Sequence, residues 1–110
     1  MRLLLDESVP NGFRRSLLSH AVRTVVEMGW SGVKNGQLLA LAANEFDAFI
    51  TVDKNLPYQQ NLTTLPLAVI VLDVVSNDLP TLLPLIPALE RVLSSLKPRT
   101  YTRVESGGAS

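Results

Sequence analysis

The 110-residue chain has no cysteine. Disulfides and thiolate metal sites are therefore excluded. It has one histidine, His20, which cannot build a histidine cluster. Any bound metal must then be held by oxygen, which points to Mg²⁺, Mn²⁺ or Ca²⁺. Net charge is also lacking: ten basic and ten acidic residues cancel. A zero balance argues against a surface that clings to nucleic acid throughout, because non-specific binding needs a net basic footprint. It does not exclude a local basic patch. Long hydrophobic runs are scarce. The run Leu3–Leu5 before Asp6 is too short for a signal-peptide core. The most apolar region, residues 79–96, is interrupted by Pro80, Pro84 and Pro87 and carries Glu90 and Arg91, so it makes a poor membrane span. A cytoplasmic protein without membrane contact is expected.

What is present suits one folded domain. The composition is 46% hydrophobic, enough for a core. Residues 1–104 are expected to form that domain, with 105–110 as a small-residue tail that frays. Leu3–Leu5 read as a strand buried on both faces. Ser8 is placed to cap a helix, with Pro10 in its first turn. Phe13, Leu17 and Leu18 would mark its buried face, with Arg14 and Arg15 outside. The β-branched segment 22–28 reads as strand two. Residues 29–36, with three glycines, form a loop. Asn35 would cap a helix containing Leu38, Leu39, Leu41 and Ala42. Residues 48–52 are strand three, 56–62 a short helix or loop, and 67–73 strand four. Asp78 can cap the segment after it. A last helix near Pro84 would bury Leu85, Leu89, Val92, Leu93 and Leu96, and residues 100–104 would be an edge strand.

This alternation predicts an α/β domain of three layers around a mainly parallel sheet of four to five strands. Right-handed crossovers give the strand order 2-1-3-4. In that order strands one and three are neighbours, and their carboxyl ends flank the switch point where open α/β sheets place their sites. Asp6 ends strand one and Asp53 ends strand three. Glu7 follows Asp6, and Asp73 ends strand four next door. Adjacent carboxylates need a proton or a cation, and two of them suit a hydrated Mg²⁺ or Mn²⁺ that takes up phosphate oxygens. The chemistry would be phosphodiester hydrolysis or phosphoryl transfer. Lys54, Asn55 and Arg14 would contact substrate, and Tyr58 would stack on a base of single-stranded RNA. Simpler roles exist for several of these: Asp73 as a turn residue, Arg14 and Arg15 as a solvated helix face, Tyr58 as a protein contact. His20 would meet helix-end carbonyls. Trp30 would be a packing plug or an interface anchor.

The segments "LLLDESVP" and "GQLLALAANEFDAFITVDKNL" together resemble the small PIN-like proteins of bacteria, many of which are suspected toxins of toxin–antitoxin pairs. The resemblance covers about residues 2–73. Its pattern is a strand ending Asp-Glu, a Leu- and Ala-rich helix, and a strand ending Thr-x-Asp, met here by Thr51, Val52 and Asp53. It implies a PIN-like fold and an RNA-hydrolysing enzyme. It also implies Asp6 and Asp53 as ligands of Mg²⁺ or Mn²⁺, with Glu7 beside them and Thr51 as a supporting hydroxyl. A cognate antitoxin and a homodimer are the implied partners. The chain departs from the pattern at the opening of the middle helix, where Asn35 stands in the usual acidic position, and it lacks a further Glu of fuller PIN domains. Glu7 or Asp73 would have to compensate.

Two other functions fit parts of the sequence. A receiver-like phosphoacceptor domain would use Asp6 and Glu7, phosphorylate Asp53, and draw on Pro57 and on Lys97 before Pro98. A non-catalytic module would contact nucleic acid or protein through residues 55–62.

Overall fold

The computed structural model describes residues 1–105. Five strands form one parallel sheet in the order β2-β1-β3-β4-β5. They are β1 (Arg2–Leu5), β2 (Ala21–Thr24), β3 (Ala48–Thr51), β4 (Ala68–Asp73) and β5 (Tyr101–Glu105). The helices are α1 (Asn35–Ala42), α2 (Leu56–Gln59), α3 (Leu79–Leu82) and α4 (Ile86–Ser94). The α/β class and the order of the first four strands are as expected, and β5 is the expected edge strand, which the structure places next to β4. Among the described residues no helix is long and apolar enough to cross a membrane.

Strands β1, β3 and β4 are nearly all buried because both faces are covered. Leu3, Leu5, Ile50, Ile70 and Leu72 point to one face, where they pack with Phe13, Leu82, Leu89 and Leu93. Leu4, Phe49, Val69 and Val71 point to the other, where they meet Leu38, Leu39 and Leu56. Alternate residues of a strand face opposite ways, so a continuous apolar run is what a sheet between two helical layers requires.

Several local expectations are corrected. The segment after β1 is a 3-10 helix, Asn11–Leu17, with Pro10 rather than Ser8 at its N-cap. It runs close to α3: a Cβ on Gly12 would come within 3.0 Å of Leu79. Strand β2 stops at Thr24. There the Thr24 hydroxyl accepts from Glu27 N–H at 3.1 Å and the Glu27 carboxylate accepts from Thr24 N–H at 2.9 Å. This is a capping box, Thr-x-x-Glu, and it turns the chain where β-branched residues alone suggested more strand. The hydrogen bond from Thr24 N–H, against an opposing burial effect and aided by the Arg14 and Arg23 guanidiniums, holds the Glu27 carboxyl below its ordinary pKa. Asn35 is the first residue of α1 and Lys34 its N-cap. Asp78 does cap α3, accepting from Thr81 N–H at 2.8 Å. The last helix begins at Ile86, after a 3-10 turn over Leu83–Leu85. Glu105, expected to begin the tail, closes β5; residues 106–110 lie outside the described residues.

The crossovers do not all share one hand. The β2→β3 and β3→β4 connections both lie on the Phe49 face, and both move towards β5. The β1→β2 connection moves the other way on the opposite face, which is the same hand. The β4→β5 connection, carrying α3 and α4, moves towards β5 on the Ile50 face. Its hand is therefore opposite to the other three. Since about 98% of such connections are right-handed, the three are the ordinary kind and the last is the exception. The physical reason is coverage. The 3-10 helix alone cannot shield Ile50, Ile70 and Leu72, and α3 and α4 complete that layer.

Candidate functional site

The site is built where β1 and β3 end. Their register places Leu5 opposite Ile50, and Asp6 N–H donates to the Ile50 carbonyl at 2.9 Å. Asp6 is thereby held beside Thr51, the last residue of β3. Thr51 is the one fully buried polar side chain among the described residues, 0% exposed. A buried hydroxyl needs partners, and Thr51 has two. It donates to Asp6 Oδ2 at 2.9 Å and accepts from Asp53 N–H at 3.0 Å. One hydroxyl thus fixes both the Asp6 carboxylate and the backbone that carries Asp53.

Ser8, assigned from sequence to a helix cap, belongs to this network instead. Its hydroxyl donates to Asp6 Oδ2 at 2.6 Å and lies 3.5 Å from Thr51 Oγ1. It also accepts from Val52 N–H at 3.4 Å. Asn77, which the sequence reading did not single out, donates to the Ser8 carbonyl at 3.0 Å and so ties the loop after β4 to the loop after β1. The signal for Ser8 was the local pattern Asp-Glu-Ser, in which a hydroxyl two residues after a carboxylate can fold back onto it. Asn77 had no local signal, because its partner lies across the sheet.

Asp53 begins a turn in which its side chain accepts from the backbone two residues on. Its Oδ1 accepts from Asn55 N–H at 2.9 Å, leading into α2. Each of the two acids therefore keeps one oxygen, Asp6 Oδ1 and Asp53 Oδ2, without a hydrogen-bond partner among the described residues. The other acids do not join them. Glu7 is exposed. Asp73 is taken by cations, with Lys54 Nζ at 3.2 Å on Oδ1 and Arg103 Nε at 2.8 Å on Oδ2. Among the described residues no group of three His, Cys, Asp or Glu side chains gathers to hold a metal. Two free carboxylate oxygens at a polar strand end fit a hydrated Mg²⁺ or Mn²⁺, which is commonly held by one or two carboxylates with the remaining positions filled by water and phosphate.

The remaining predicted side chains lie outside this network. Asn35 donates to Gln59 Oε1 at 3.4 Å, joining α1 to α2. Asn55 is exposed on the rim, next to Lys54. Tyr58 is 89% exposed. Arg14 bonds Glu27 at 2.8 Å and the Val22 carbonyl at 2.9 Å, so it is spent on the edge of β2. His20 meets Glu90 on α4 at 2.8 Å, not a helix-end carbonyl. Trp30 is a plug, edge-on to Phe46 with ring centroids 6.2 Å apart.

Compared with protein-family models, curated proteins and solved structures, the chain matches none.

Proposed function

We propose that the chain is a PIN-like, Mg²⁺- or Mn²⁺-dependent nuclease acting on single-stranded RNA, of the kind found as the toxin of a toxin–antitoxin pair. The observation that carries this reading is the Asp6–Thr51–Asp53 arrangement at the ends of two adjacent parallel strands. When bound, the divalent ion supplies Lewis-acid catalysis of phosphodiester hydrolysis. Asp6 and Asp53 would hold it. Thr51 and Ser8 hold the Asp6 carboxylate in one orientation. Lys54 and Asn55, on the turn after Asp53, face substrate phosphate and ribose, and the Asp73 partner keeps Lys54 at that rim.

Two acids are fewer than a full PIN site carries, so the expected activity is weak. Purified protein with Mn²⁺ should cleave single-stranded RNA slowly, and Asp6→Asn and Asp53→Asn should each abolish the cleavage. Cleavage that persists in both variants, or that does not depend on the added metal, sinks the proposal.

The non-catalytic reading is favoured by the absence of a third acid from the site among the described residues. It predicts RNA or protein binding with no metal dependence. The receiver-like reading loses support from topology. Lys97 precedes β5 and so lies at the end of the sheet opposite Asp53, while Lys54 pairs with Asp73.

A further inference from the structure

The two edges of the sheet are treated differently. On β2 the ladder to β1 runs through Ala21 and Val25, whose N–H groups donate to the Met1 and Leu5 carbonyls. Parallel pairing alternates, so Val22 and Thr24 turn their backbone groups outward. Three of those four groups are taken. Arg14 donates to the Val22 carbonyl, Glu27 accepts from Thr24 N–H, and Met28 N–H donates to the Thr24 carbonyl. The Arg14–Glu27 ion pair locks the seal at 2.8 Å. Side chains that occupy an edge prevent another strand from adding to it.

Strand β5 has no such seal. Val69 N–H donates to the Thr100 carbonyl at 2.8 Å, and Val69 pairs with Tyr101. This fixes the phase: Thr102 and Val104 serve the ladder to β4, while Tyr101, Arg103 and Glu105 turn their N–H and C=O groups outward. Among the described residues nothing bonds those outward groups. The side chains at this edge are self-complementary in charge. Lys54, Asp73, Arg103 and Glu105 form one chain of ion pairs with two cations and two carboxylates. A neutral, alternating patch is complementary to a copy of itself. Tyr101 and Arg103 both lie on this strand, and tyrosine and arginine are among the residue types most enriched at interface anchors.

We infer that β5 is a dimerisation edge, adding antiparallel to β5 of a second copy to make one continuous sheet. Charge selects the register. Placing Arg103 opposite its own symmetry mate would oppose like charges, which is destabilising. Placing Arg103 opposite Glu105 of the second copy satisfies the outward backbone groups of both residues and makes the Arg–Glu contact twice by symmetry. This surface is separate from Trp30 and from the proline-rich segment.

The test is light scattering on the full chain across a concentration series, with Arg103→Pro, Glu105→Lys and Arg103→Lys. Wild-type protein should reach twice the 12.0 kDa chain mass. Arg103→Pro deletes an outward N–H, which edge strands tolerate, together with the guanidinium that pairs with Asp73 and Glu105, and should raise the dimer dissociation constant more than about tenfold, a loss of roughly 1.4 kcal/mol. Glu105→Lys should do the same through a double cation contact, which keeps the test decisive if the proline variant misfolds. Arg103→Lys should stay near wild type. A wild-type chain that is monomeric at every concentration overturns the inference. So does a dimer that all three variants leave intact, or an Arg103 amide protected from hydrogen exchange in the monomer.

Discussion

Thr51→Val is expected to lower the affinity for Mn²⁺ by about 10–100-fold and the folding stability by about 1–3 kcal/mol. Valine fills almost the same volume as threonine, so the change removes the hydroxyl with little change in packing. Asp53 N–H then loses its acceptor, and Asp6 Oδ2 keeps only Ser8. Both acids become free to reorient, although neither has been mutated. Thr51→Ser is the control. It retains the hydroxyl and drops one methyl, so its metal affinity should stay near wild type while stability falls by about 1 kcal/mol. Metal titration and denaturant unfolding of the three proteins separate the two effects. Equal Mn²⁺ affinity in the valine variant and the wild type would show that Thr51 only fills space.

Phe49→Ala should be the most damaging single change to the fold. Phe49 lies in the central strand β3, 0% exposed, on the face where α1 and α2 pack. Truncating a buried phenylalanine costs about 3–5 kcal/mol through lost transfer free energy and the cavity left behind. A domain of this size has only about 5–15 kcal/mol in total, so a large fraction of the variant should be unfolded under mild denaturant. Phe46→Ala gives the comparison. Phe46 is at the periphery of the same cluster, 7% exposed, and its loss leaves Trp30 room to shift. Urea unfolding should rank Phe49→Ala well below Phe46→Ala in stability. A loss under about 1 kcal/mol at Phe49, the size of an ordinary substitution, would contradict the packing described.

The parallel sheet was legible in the sequence because its strands are short apolar runs closed by acids. Leu3–Leu5 before Asp6, and Ala48–Ile50 before Thr51 and Asp53, carry that pattern without help from the rest of the chain. The placement of Asp6 beside Thr51, two residues before Asp53, followed from strand order. Local chemistry was harder to read. Val25 and Val26 favoured more strand, but Thr24 and Glu27 form a reciprocal cap, and two hydrogen bonds to the backbone outweighed β propensity. Ser8 looked like a cap because it precedes Pro10, yet the nearer Asp6 carboxylate claimed its hydroxyl. What the sequence could not carry was set by tertiary contacts. The register Asp73↔Glu105 brings Arg103 onto Asp73 from the far end of the chain, which removes Asp73 from the acidic group. The reversed hand of the last crossover is likewise a matter of which face still needed covering.

The central claim is that Asp6 and Asp53 share one divalent ion. Its most direct test is a crystal grown or soaked with Mn²⁺ and measured at the manganese edge. The account predicts a single anomalous peak at the Asp6 and Asp53 carboxylates, and no peak there in an Asp6→Asn crystal. A strong peak elsewhere, for example between Asp73 and Glu105, or no peak at saturating Mn²⁺, would contradict it.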